Sequence, residues 1–375
     1  IEDTAPPTIA TPASDQTVEC GSDASALLNW LNSNGGAVAS DVCGGVTWSN
    51  DFGGVSDDCG ATGRAMVTFT ATDDCGNAST TTATFTIEDT TAPSITTSAS
   101  DNSVECDGTG NSADLANWLN SAGGAVATDA CGGVTWTNNF TALSDDCGAT
   151  GSATVIFTAT DDCGNASTTT ATFTIEDTTA PTIDVVANDL TVECDGSGNI
   201  NDLNTWLASN GGASASDECG GVTWTNDFTT LSDDCGAAGS ATVTFTATDD
   251  CGLASTTIAT FSIVDTTPPV ITTAASDLTV ECDGAGNSAA LNNWLSTFGG
   301  ASASDICSGV VWTNNFSALS DLCGATGSAT VTFTATDECG NSSTTTATFT
   351  IEDTTPPTID TPVSYTHLTL PTTPY

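Results

Sequence analysis

The chain has 375 residues, of which 47 are Asp or Glu, one (Arg64) is a basic residue and one is a histidine. The formal net charge of −46 excludes binding to nucleic acids or anionic membranes, because both depend on Lys and Arg. Disorder is excluded too, because 38% of the residues are hydrophobic and they occur in strand-like runs.

Sixteen cysteines indicate a disulfide-bonded fold in an oxidising, extracellular compartment. The count is even, the chain has no CxxC pair, and its only histidine is His367, so the ligands for a zinc site are missing. Nucleophilic catalysis lacks a base, since no lysine and no second histidine are present. A glycosidase needs two carboxylates across a cleft, and no cleft-forming insertion distinguishes one copy of the repeat from the others. We therefore predict that the protein is not an enzyme.

An internal repeat determines the predicted domain organisation. The motif around Asp3 recurs at Asp89, Asp177, Asp265 and Asp353, at spacings of 86, 88, 88 and 88 residues. We predict four repeats at 1–88, 89–176, 177–264 and 265–352, and a truncated fifth that begins at 353–364. Residues 365–375 break the pattern, and we interpret them as a non-native tail. We expect the chain to be an internal piece of a longer protein.

The elements of a repeat follow from the second copy. Residues 103–106 form the end of a short strand. Leu115, Trp118 and Leu119 have the i, i+3, i+4 spacing of an amphipathic helix, which we predict over 111–119. Alternating residues predict strands over 134–138, 153–160 and 168–175. The fold class is therefore all-β: four tandem immunoglobulin-like antiparallel β-sandwiches, each with one short helix and two disulfides.

Four cysteines in a repeat allow three disulfide pairings. Cys131 precedes one strand and Cys163 follows the next, so a hairpin would bring these two cysteines to the same end. We therefore favour second-to-fourth pairing within a repeat and, by elimination, first-to-third. The predicted pairs are Cys20–Cys59, Cys43–Cys75, Cys106–Cys147, Cys131–Cys163, Cys194–Cys235, Cys219–Cys251, Cys282–Cys323 and Cys307–Cys339.

The segments 265–269 (DTTPP), 217–224 (DECGGVTW) and 159–165 (ATDDCGN) carry a resemblance to a known family. They resemble hyalin-repeat and related immunoglobulin-like domains, which occur in tandem in large surface adhesins of marine Bacteroidota. The resemblance covers residues 1 to about 360, but this chain lacks a Cys-Pro after the first strand and inserts a helix. It implies an adhesive or stalk function at the bacterial cell surface, without catalytic residues.

Clustered carboxylates at loop ends suggest calcium, which takes six to eight oxygen ligands in flexible geometry. The alternative is that these acids form turns and keep the surface soluble. The candidate ligands end a strand or lie where repeats meet. They are Asp73, Asp74, Asn77, Glu88, Asp89, Asp161, Asp162, Asn165, Glu176, Asp177, Asp249, Asp250, Asp265, Asp337, Glu338 and Asn341.

The function that we expect is that of a non-catalytic extracellular stalk or adhesin segment, stiffened by calcium where repeats meet. Its expected partners are other repeats of the same protein and a surface glycan or another cell, without nucleic acid or membrane contact. Two alternatives remain open: a subunit of a self-assembling filament, and a carbohydrate-binding module that uses the threonine rows of its strands. Electron microscopy would reveal the first and a glycan array the second.

Overall fold

The computed structural model describes residues 1–320, 322 and 324–360. Cys323, residues 361–364 of the predicted fifth repeat and the predicted tail at 365–375 lie outside the described residues. Contacts divide the chain into two compact units. The first contains 1–182, 216–223 and 248–255, and the second contains 183–215, 224–247 and the described residues of 256–360.

Every repeat contains six strands, one short α-helix and one 3₁₀ turn in the same order. The first repeat has β1 (Thr8–Thr11), β2 (Gln16–Glu19), α1 (Asp23–Asn32), a 3₁₀ turn (Asn34–Gly36), β3 (Val38–Ser40), β4 (Val46–Asn50), β5 (Gly63–Asp73) and β6 (Ala78–Glu88). The second has β7 (Ser94–Thr97), β8 (Asn102–Glu105), α2 (Ser112–Asn120), a 3₁₀ turn (Ala122–Gly124), β9 (Val126–Thr128), β10 (Val134–Asn138), β11 (Gly151–Asp161) and β12 (Ala166–Glu176).

The third repeat has β13 (Thr182–Val185), β14 (Leu190–Glu193), α3 (Ile200–Ala208), a 3₁₀ turn (Asn210–Gly212), β15 (Ser214–Ser216), β16 (Val222–Asn226), β17 (Gly239–Asp249) and β18 (Ala254–Val264). The fourth has β19 (Val270–Thr273), β20 (Leu278–Glu281), α4 (Ser288–Ser296), a 3₁₀ turn (Phe298–Gly300), β21 (Ser302–Ser304), β22 (Val310–Asn314), β23 (Gly327–Asp337) and β24 (Ser342–Glu352). None of the helices in the described part of the chain is long and apolar enough to cross a membrane.

Each repeat consists of a four-stranded and a two-stranded sheet, in the orders β2-β6-β5-β4 and β1-β3 for the first. The predicted all-β architecture of four sandwich-like repeats, each with a short helix, is confirmed. The four-stranded sheet is nevertheless not wholly antiparallel, because β2 pairs with β6 in parallel, with Thr17 opposite Thr86. Parallel neighbours need a long crossover, which the chain makes through α1 and β3 to β5 before it returns as β6.

The core of each repeat forms where the helix covers the four-stranded sheet. Alternation along β11 and β12 places Phe157 and Phe173 on the inner face, where both are almost completely buried. Trp118 of α2 packs on both rings at centroid distances of 5.1 and 5.4 Å. Its indole N–H donates to the carbonyl oxygen of Ser100 at 3.1 Å, so the buried polar group is satisfied. This first tryptophan of each repeat is therefore a core residue.

The predicted disulfide pairing within each repeat is wrong. Every disulfide in the described part of the chain joins neighbouring repeats: the first cysteine of one repeat bonds to the second of the next, and the third bonds to the fourth. The six pairs are Cys20–Cys131, Cys59–Cys163, Cys106–Cys219, Cys147–Cys251, Cys194–Cys307 and Cys235–Cys339, with Cα–Cα distances from 5.1 to 6.0 Å. Among the described cysteines, Cys43, Cys75 and Cys282 are free.

The positions of the strands explain why the disulfides do not form within a repeat. Cys20 follows β2 and Cys59 precedes β5, and both lie at the end of the repeat where β6 finishes, which we call the exit end. However, β6 separates β2 from β5, which places them about 10 Å apart at the usual strand spacing. A disulfide spans at most about 7 Å between Cα atoms. The cysteines at the exit end therefore bond to the next repeat instead of to each other.

The second and fourth cysteines lie at the opposite end of each repeat, at the turn between its two long strands, which we call the hairpin end. Cys43 precedes β4, whose first residue Val46 pairs with Asp73, and Cys75 lies in the β5–β6 turn. The hairpin argument thus correctly placed these cysteines at one end but gave them the wrong partners. The exit end of each of the first three repeats meets the hairpin end of the next repeat at a double bridge, which we call the joint.

Candidate metal centre

Three aspartates meet at the hairpin end of the second repeat. Asp89 directly follows β6 and is the first residue of the second repeat. Asp129 follows β9, and Asp161 is the last residue of β11. Their carboxylate oxygens lie within 4.8 Å of one another, and Asp89 also lies within that distance of the sulfurs of the Cys20–Cys131 bridge. We call the three aspartates at these positions of a repeat its carboxylate cluster.

Hydrogen bonds from the β11–β12 turn hold Asp161 in place. Its Oδ1 accepts from the backbone N–H groups of Cys163 and Asn165, both at 2.9 Å, and its Oδ2 accepts from the Asn165 side-chain amide at 3.0 Å. The same amide donates to the backbone carbonyl of Asp89 at 3.1 Å. Asn165 thus ties the turn to the segment that enters the repeat.

The other two aspartates are oriented by their own loops. Asp129 Oδ1 accepts from the Cys131 N–H at 2.7 Å, and Asp89 Oδ1 accepts from the Thr91 N–H at 3.1 Å. Both bonds span two residues, as in the Asx turns that aspartate favours. Each carboxylate therefore keeps an oxygen that these bonds do not use.

The third repeat differs at one residue that matters for this cluster. Leu253 stands where the other repeats have Asn77, Asn165 and Asn341, so the amide that satisfies the buried aspartate is missing. Asp249 is 6% exposed, and its Oδ2 is buried without a hydrogen-bond partner in the described structure. Asp177 Oδ2 in the same cluster is also buried and unpartnered, as is Asp265 Oδ2 in the fourth repeat.

A glutamate from the preceding repeat closes each joint. Glu105 ends β8, and its carboxylate oxygens lie within 4.8 Å of those of Asp177 in the next repeat. It accepts from the Thr178 N–H at 2.9 Å, the Thr178 hydroxyl at 2.7 Å and the Thr179 hydroxyl at 3.2 Å. Glu193 and Glu281 make the same contacts with the threonine pairs that follow Asp265 and Asp353.

The pKa values around the cluster shift in both directions. Burial raises the pKa of Asp177, and the carboxylates of Asp217 and Asp249 raise it further. Burial, Asp129, Asp161 and Glu19 likewise raise the pKa of Asp89. Hydrogen bonds, foremost that from the Thr178 N–H, lower the pKa of Glu105. The aspartates that enter the third and second repeats thus sit in an environment that disfavours their charge.

The structure brings some of the predicted ligands together and places others elsewhere. Asp89 and Asp161 share a cluster, as predicted, and Asn165 binds both. Glu88 and Glu176 are exposed at the ends of their strands. The second aspartate of each turn binds the glycine loop after the second cysteine, with Asp74, Asp162 and Asp250 accepting from the N–H groups of Gly45, Gly133 and Gly221 at 2.8–2.9 Å. Glu338 accepts from the Gly236 N–H at 3.1 Å.

Sequence reasoning missed two acidic positions. One is the aspartate two residues before the second cysteine of each repeat, at Asp41, Asp129, Asp217 and Asp305. The other is the glutamate directly before the first cysteine, at Glu19, Glu105, Glu193 and Glu281. Both recur in every repeat next to a cysteine, and that periodic placement is the signal that would have revealed them.

The donor set suits a hard divalent cation. Carboxylates are the ligands that calcium prefers, and buried oxygens without donors are costly unless a cation or a proton compensates them. Among the described residues the protein supplies little positive charge, since the single ion pair is the exposed Arg64–Asp58 contact at 3.5 Å. Asp177, Asp217, Asp249 and Glu105 are the residues that would hold calcium at the third repeat.

No family model and no curated protein matches the chain. Among solved structures, it is similar to the protocadherin gammaB4 extracellular domain at 13% identity and a TM-score of 0.34, over 93% of this chain and 67% of that one. The human desmocollin-1 ectodomain gives 12% and 0.23 over 77% and 67%. Drosophila N-cadherin EC1-4 gives 9% and 0.22 over 84% and 94%. These TM-scores are too low to bear on function.

Proposed function

We propose that this chain is a non-catalytic segment of an extracellular stalk or adhesin, and that calcium binds at the carboxylate clusters of its joints. The observation that carries the proposal is the pair of buried, unpartnered carboxylate oxygens on Asp177 and Asp249. They belong to a cluster beside a double disulfide joint, in a chain that has a single basic residue.

A cation at this position would act on the joint itself. Glu105 belongs to the second repeat and Asp177 to the third, and their carboxylate oxygens lie within 4.8 Å of each other. Like charges at this distance repel, and the repulsion is strongest where burial excludes water. Calcium would replace that repulsion by attraction to both repeats and would strengthen the joint.

The extracellular part of the proposal rests on the disulfides. Six bridges between repeats need an oxidising compartment to form and persist. Four copies of one small sandwich, without a distinct insertion in any of them, suit a spacer or a multivalent surface better than a single binding site. The bacterial source and the kinship with hyalin repeats remain predictions from the resemblance.

Calcium titration tests the metal site. The chain is stripped with EDTA, titrated calorimetrically with calcium, and melted with and without calcium. We expect heat of binding and a higher Tm in calcium, because a ligand that binds only the folded state stabilises it by about 2.7 kcal/mol at a hundredfold excess over its Kd. Asp177→Asn should remove one site from the stoichiometry.

The matched control is Asp233→Asn, which removes the same charge from an exposed loop residue of the same repeat. It should leave both the stoichiometry and the calcium-dependent rise in Tm unchanged. Absence of heat, together with equal Tm values in EDTA and in calcium, would contradict the metal proposal.

An assay with beads coated with the chain distinguishes an adhesin from a stalk. Clustering of the beads in calcium, reversed by EDTA, is expected of an adhesin. Beads that stay dispersed while the calorimeter reports calcium binding are expected of a stalk.

A further inference from the structure

The carboxylate clusters at the joints carry matched acids but differ at one neighbouring residue. Each joint combines the glutamate before the first cysteine of one repeat with the three aspartates of the next. These sets are Glu19 with Asp89, Asp129 and Asp161; Glu105 with Asp177, Asp217 and Asp249; and Glu193 with Asp265, Asp305 and Asp337. We call the residue four positions after the last aspartate of a cluster the turn residue. It is Asn165 in the second repeat, Leu253 in the third and Asn341 in the fourth.

The turn residue of the second and fourth repeats donates hydrogen bonds into the cluster. The Asn165 side-chain amide donates to Asp161 Oδ2 at 3.0 Å and to the Asp89 carbonyl oxygen at 3.1 Å. Asn341 makes the equivalent two bonds, both at 3.0 Å. Because both partners are acceptors, the amide presents its nitrogen to them and not its oxygen. A donor therefore occupies the side of the buried carboxylate at which a cation would bind.

The third repeat has the same turn without this donor. The backbone N–H groups of Cys251 and Leu253 donate to Asp249 Oδ1 at 2.9 Å, as the equivalent groups of the second repeat do to Asp161 Oδ1. Leu253 has no side-chain N–H, and Asp249 Oδ2 is buried without a partner in the described structure. The carbonyl oxygen of Asp177 loses the equivalent donor as well. The leucine thus leaves the turn unchanged and frees the carboxylate.

The cluster of the fourth repeat is intermediate between these two cases. Asp265 Oδ2 is buried and unpartnered there, but Asn341 still donates to Asp337 Oδ2. Within the described residues, the third cluster thus has two buried carboxylate oxygens without a donor, on Asp177 and Asp249, and the fourth has one. An ionised oxygen of this kind is costly unless a cation compensates it, so each of them favours cation binding.

We infer that the turn residue determines how tightly each cluster binds calcium, and that Leu253 makes the third repeat the tightest site. The inference rests on the proposed function, because it takes calcium as the ligand of the clusters. Wherever the turn residue is asparagine, calcium must displace a hydrogen bond to a charged group. Such a bond is strong enough to weaken binding about tenfold to a hundredfold. The joint between the second and third repeats is therefore the one that calcium strengthens at the lowest concentration.

Calorimetric titration of the full chain with calcium, after it has been stripped with EDTA, tests the role of the donor. Leu253→Asn supplies the missing amide. We expect it to raise the Kd of the tightest site about tenfold to a hundredfold, and to raise the Tm in EDTA because Asp249 Oδ2 gains a partner. Leu253→Met is the matched control, because it keeps the volume of the side chain and adds no donor. It should leave that Kd unchanged.

The reciprocal exchange tests whether the tight site moves with the turn residue. Asn165→Leu removes the donor from the second repeat, so it should add a second tight site and lower the Tm in EDTA. The double variant Asn165→Leu with Leu253→Asn should have its tight site in the second repeat instead of the third. Asp89→Asn should then abolish tight binding in the double variant, whereas Asp177→Asn should abolish it in the wild type.

The titrations can contradict this inference without contradicting the proposed function. Heat of binding in the wild type with an unchanged Kd in Leu253→Asn would overturn the inference alone, and tight binding would then follow from acids such as the exposed Glu218. An equal rise of the Kd in Leu253→Met would also overturn it, since packing and not the donor would be responsible. If Leu253→Asn does not fold, the absence of a second tight site in Asn165→Leu decides against the inference. Absence of heat in the wild type would contradict both proposals.

Discussion

The interior of a repeat and the joint between repeats are held together by different means. The interior is an apolar cluster in which Trp118 packs on Phe157 and Phe173. The joint after that repeat has the bridges Cys106–Cys219 and Cys147–Cys251 beside a carboxylate cluster. The alternation of apolar and polar residues along each strand is therefore enough to specify the interior. The joint, in contrast, depends on cysteines that are 113 and 104 positions apart in the sequence.

Removal of one bridge should have the largest effect on the joint. Cys147→Ser with Cys251→Ser opens a bridge with a sequence separation of 104 residues, and the chain-entropy model puts its contribution at about 4–5 kcal/mol. We expect a clearly lower Tm in calorimetric melts. Cys43→Ser with Cys75→Ser removes the same number of sulfurs from unbonded positions and should leave the monomer's Tm unchanged. Equal losses in both double variants would mean that the joint does not stabilise the fold.

Removal of a core side chain should have a comparable effect on the interior. Trp118→Ala deletes an indole that is 7% exposed, and such truncations cost about 3–5 kcal/mol. Trp136 is only partly buried at the edge of the same core, so Trp136→Ala should cost less. Denaturant titration followed by circular dichroism measures both. A larger loss at Trp136 would contradict the described core.

A methyl group at the closest approach between repeats should disturb the joint selectively. A Cβ built on Gly148 would overlap the Cys219 carbonyl oxygen, and the residue has φ +55°. Gly148→Ala is expected to reduce the fraction of protein with the Cys147–Cys251 bridge, as measured by thiol alkylation and mass spectrometry.

Gly324→Ala is the matched control for that variant. Gly324 occupies the same place in the fourth repeat with φ +66°, but within the described structure no atom lies within 4 Å of the position that a Cβ would take there. The substitution introduces the same left-handed strain, about 1–2 kcal/mol for an L-residue, without the overlap. Equal disulfide occupancy in both variants would show that close packing at the joint is unimportant.

The smallest effect is a difference in pH dependence between two facing carboxylates. The pKa of Asp177 is raised, so the stability that it contributes is present below its ordinary value of 3.8 and is lost as the pH rises through the folded-state pKa. The pKa of Glu105 is lowered, so its contribution is present above its ordinary value of 4.5 and is lost as the pH falls through the folded-state pKa.

In EDTA at neutral pH, Asp177→Asn should therefore raise the Tm and Glu105→Gln should lower it. The Asp177→Asn difference should shrink as the pH falls below 3.8, and the Glu105→Gln difference should shrink as the pH falls below 4.5 through the lowered folded-state pKa of Glu105. Asp233→Asn should show neither effect. Changes in Tm of the same sign for Asp177→Asn and Glu105→Gln would contradict the opposite pKa shifts of these two carboxyl groups.

The sequence was sufficient to predict the elements of a repeat because each is encoded locally. The spacing of Leu115, Trp118 and Leu119 predicted helix α2 to within a residue at each end, and alternation predicted β10 to β12. The positions of the cysteines along the strands also followed from this reasoning, since Cys131 and Cys163 do lie at one end of the repeat.

The partners of the cysteines could not be predicted in the same way. Because all repeats carry the same four cysteines, a bond to the neighbouring copy and a bond within the copy leave the same pattern in the sequence. The strand order, in which β6 separates β2 from β5, excludes the pairing of Cys20 with Cys59. That order depends on the parallel β2–β6 edge, which alternation does not reveal. Asp129 and Glu105 were missed for a related reason, since their role appears only where two repeats meet.

Disulfide mapping is the most direct test of the joint. The oxidised chain is digested without reduction by a protease that cuts at aspartate, since the chain contains a single basic residue. The structure predicts linked peptides that contain Cys106 with Cys219 and Cys147 with Cys251. Peptides that link Cys106 to Cys147 and Cys131 to Cys163 would contradict it and would show that each repeat closes on itself.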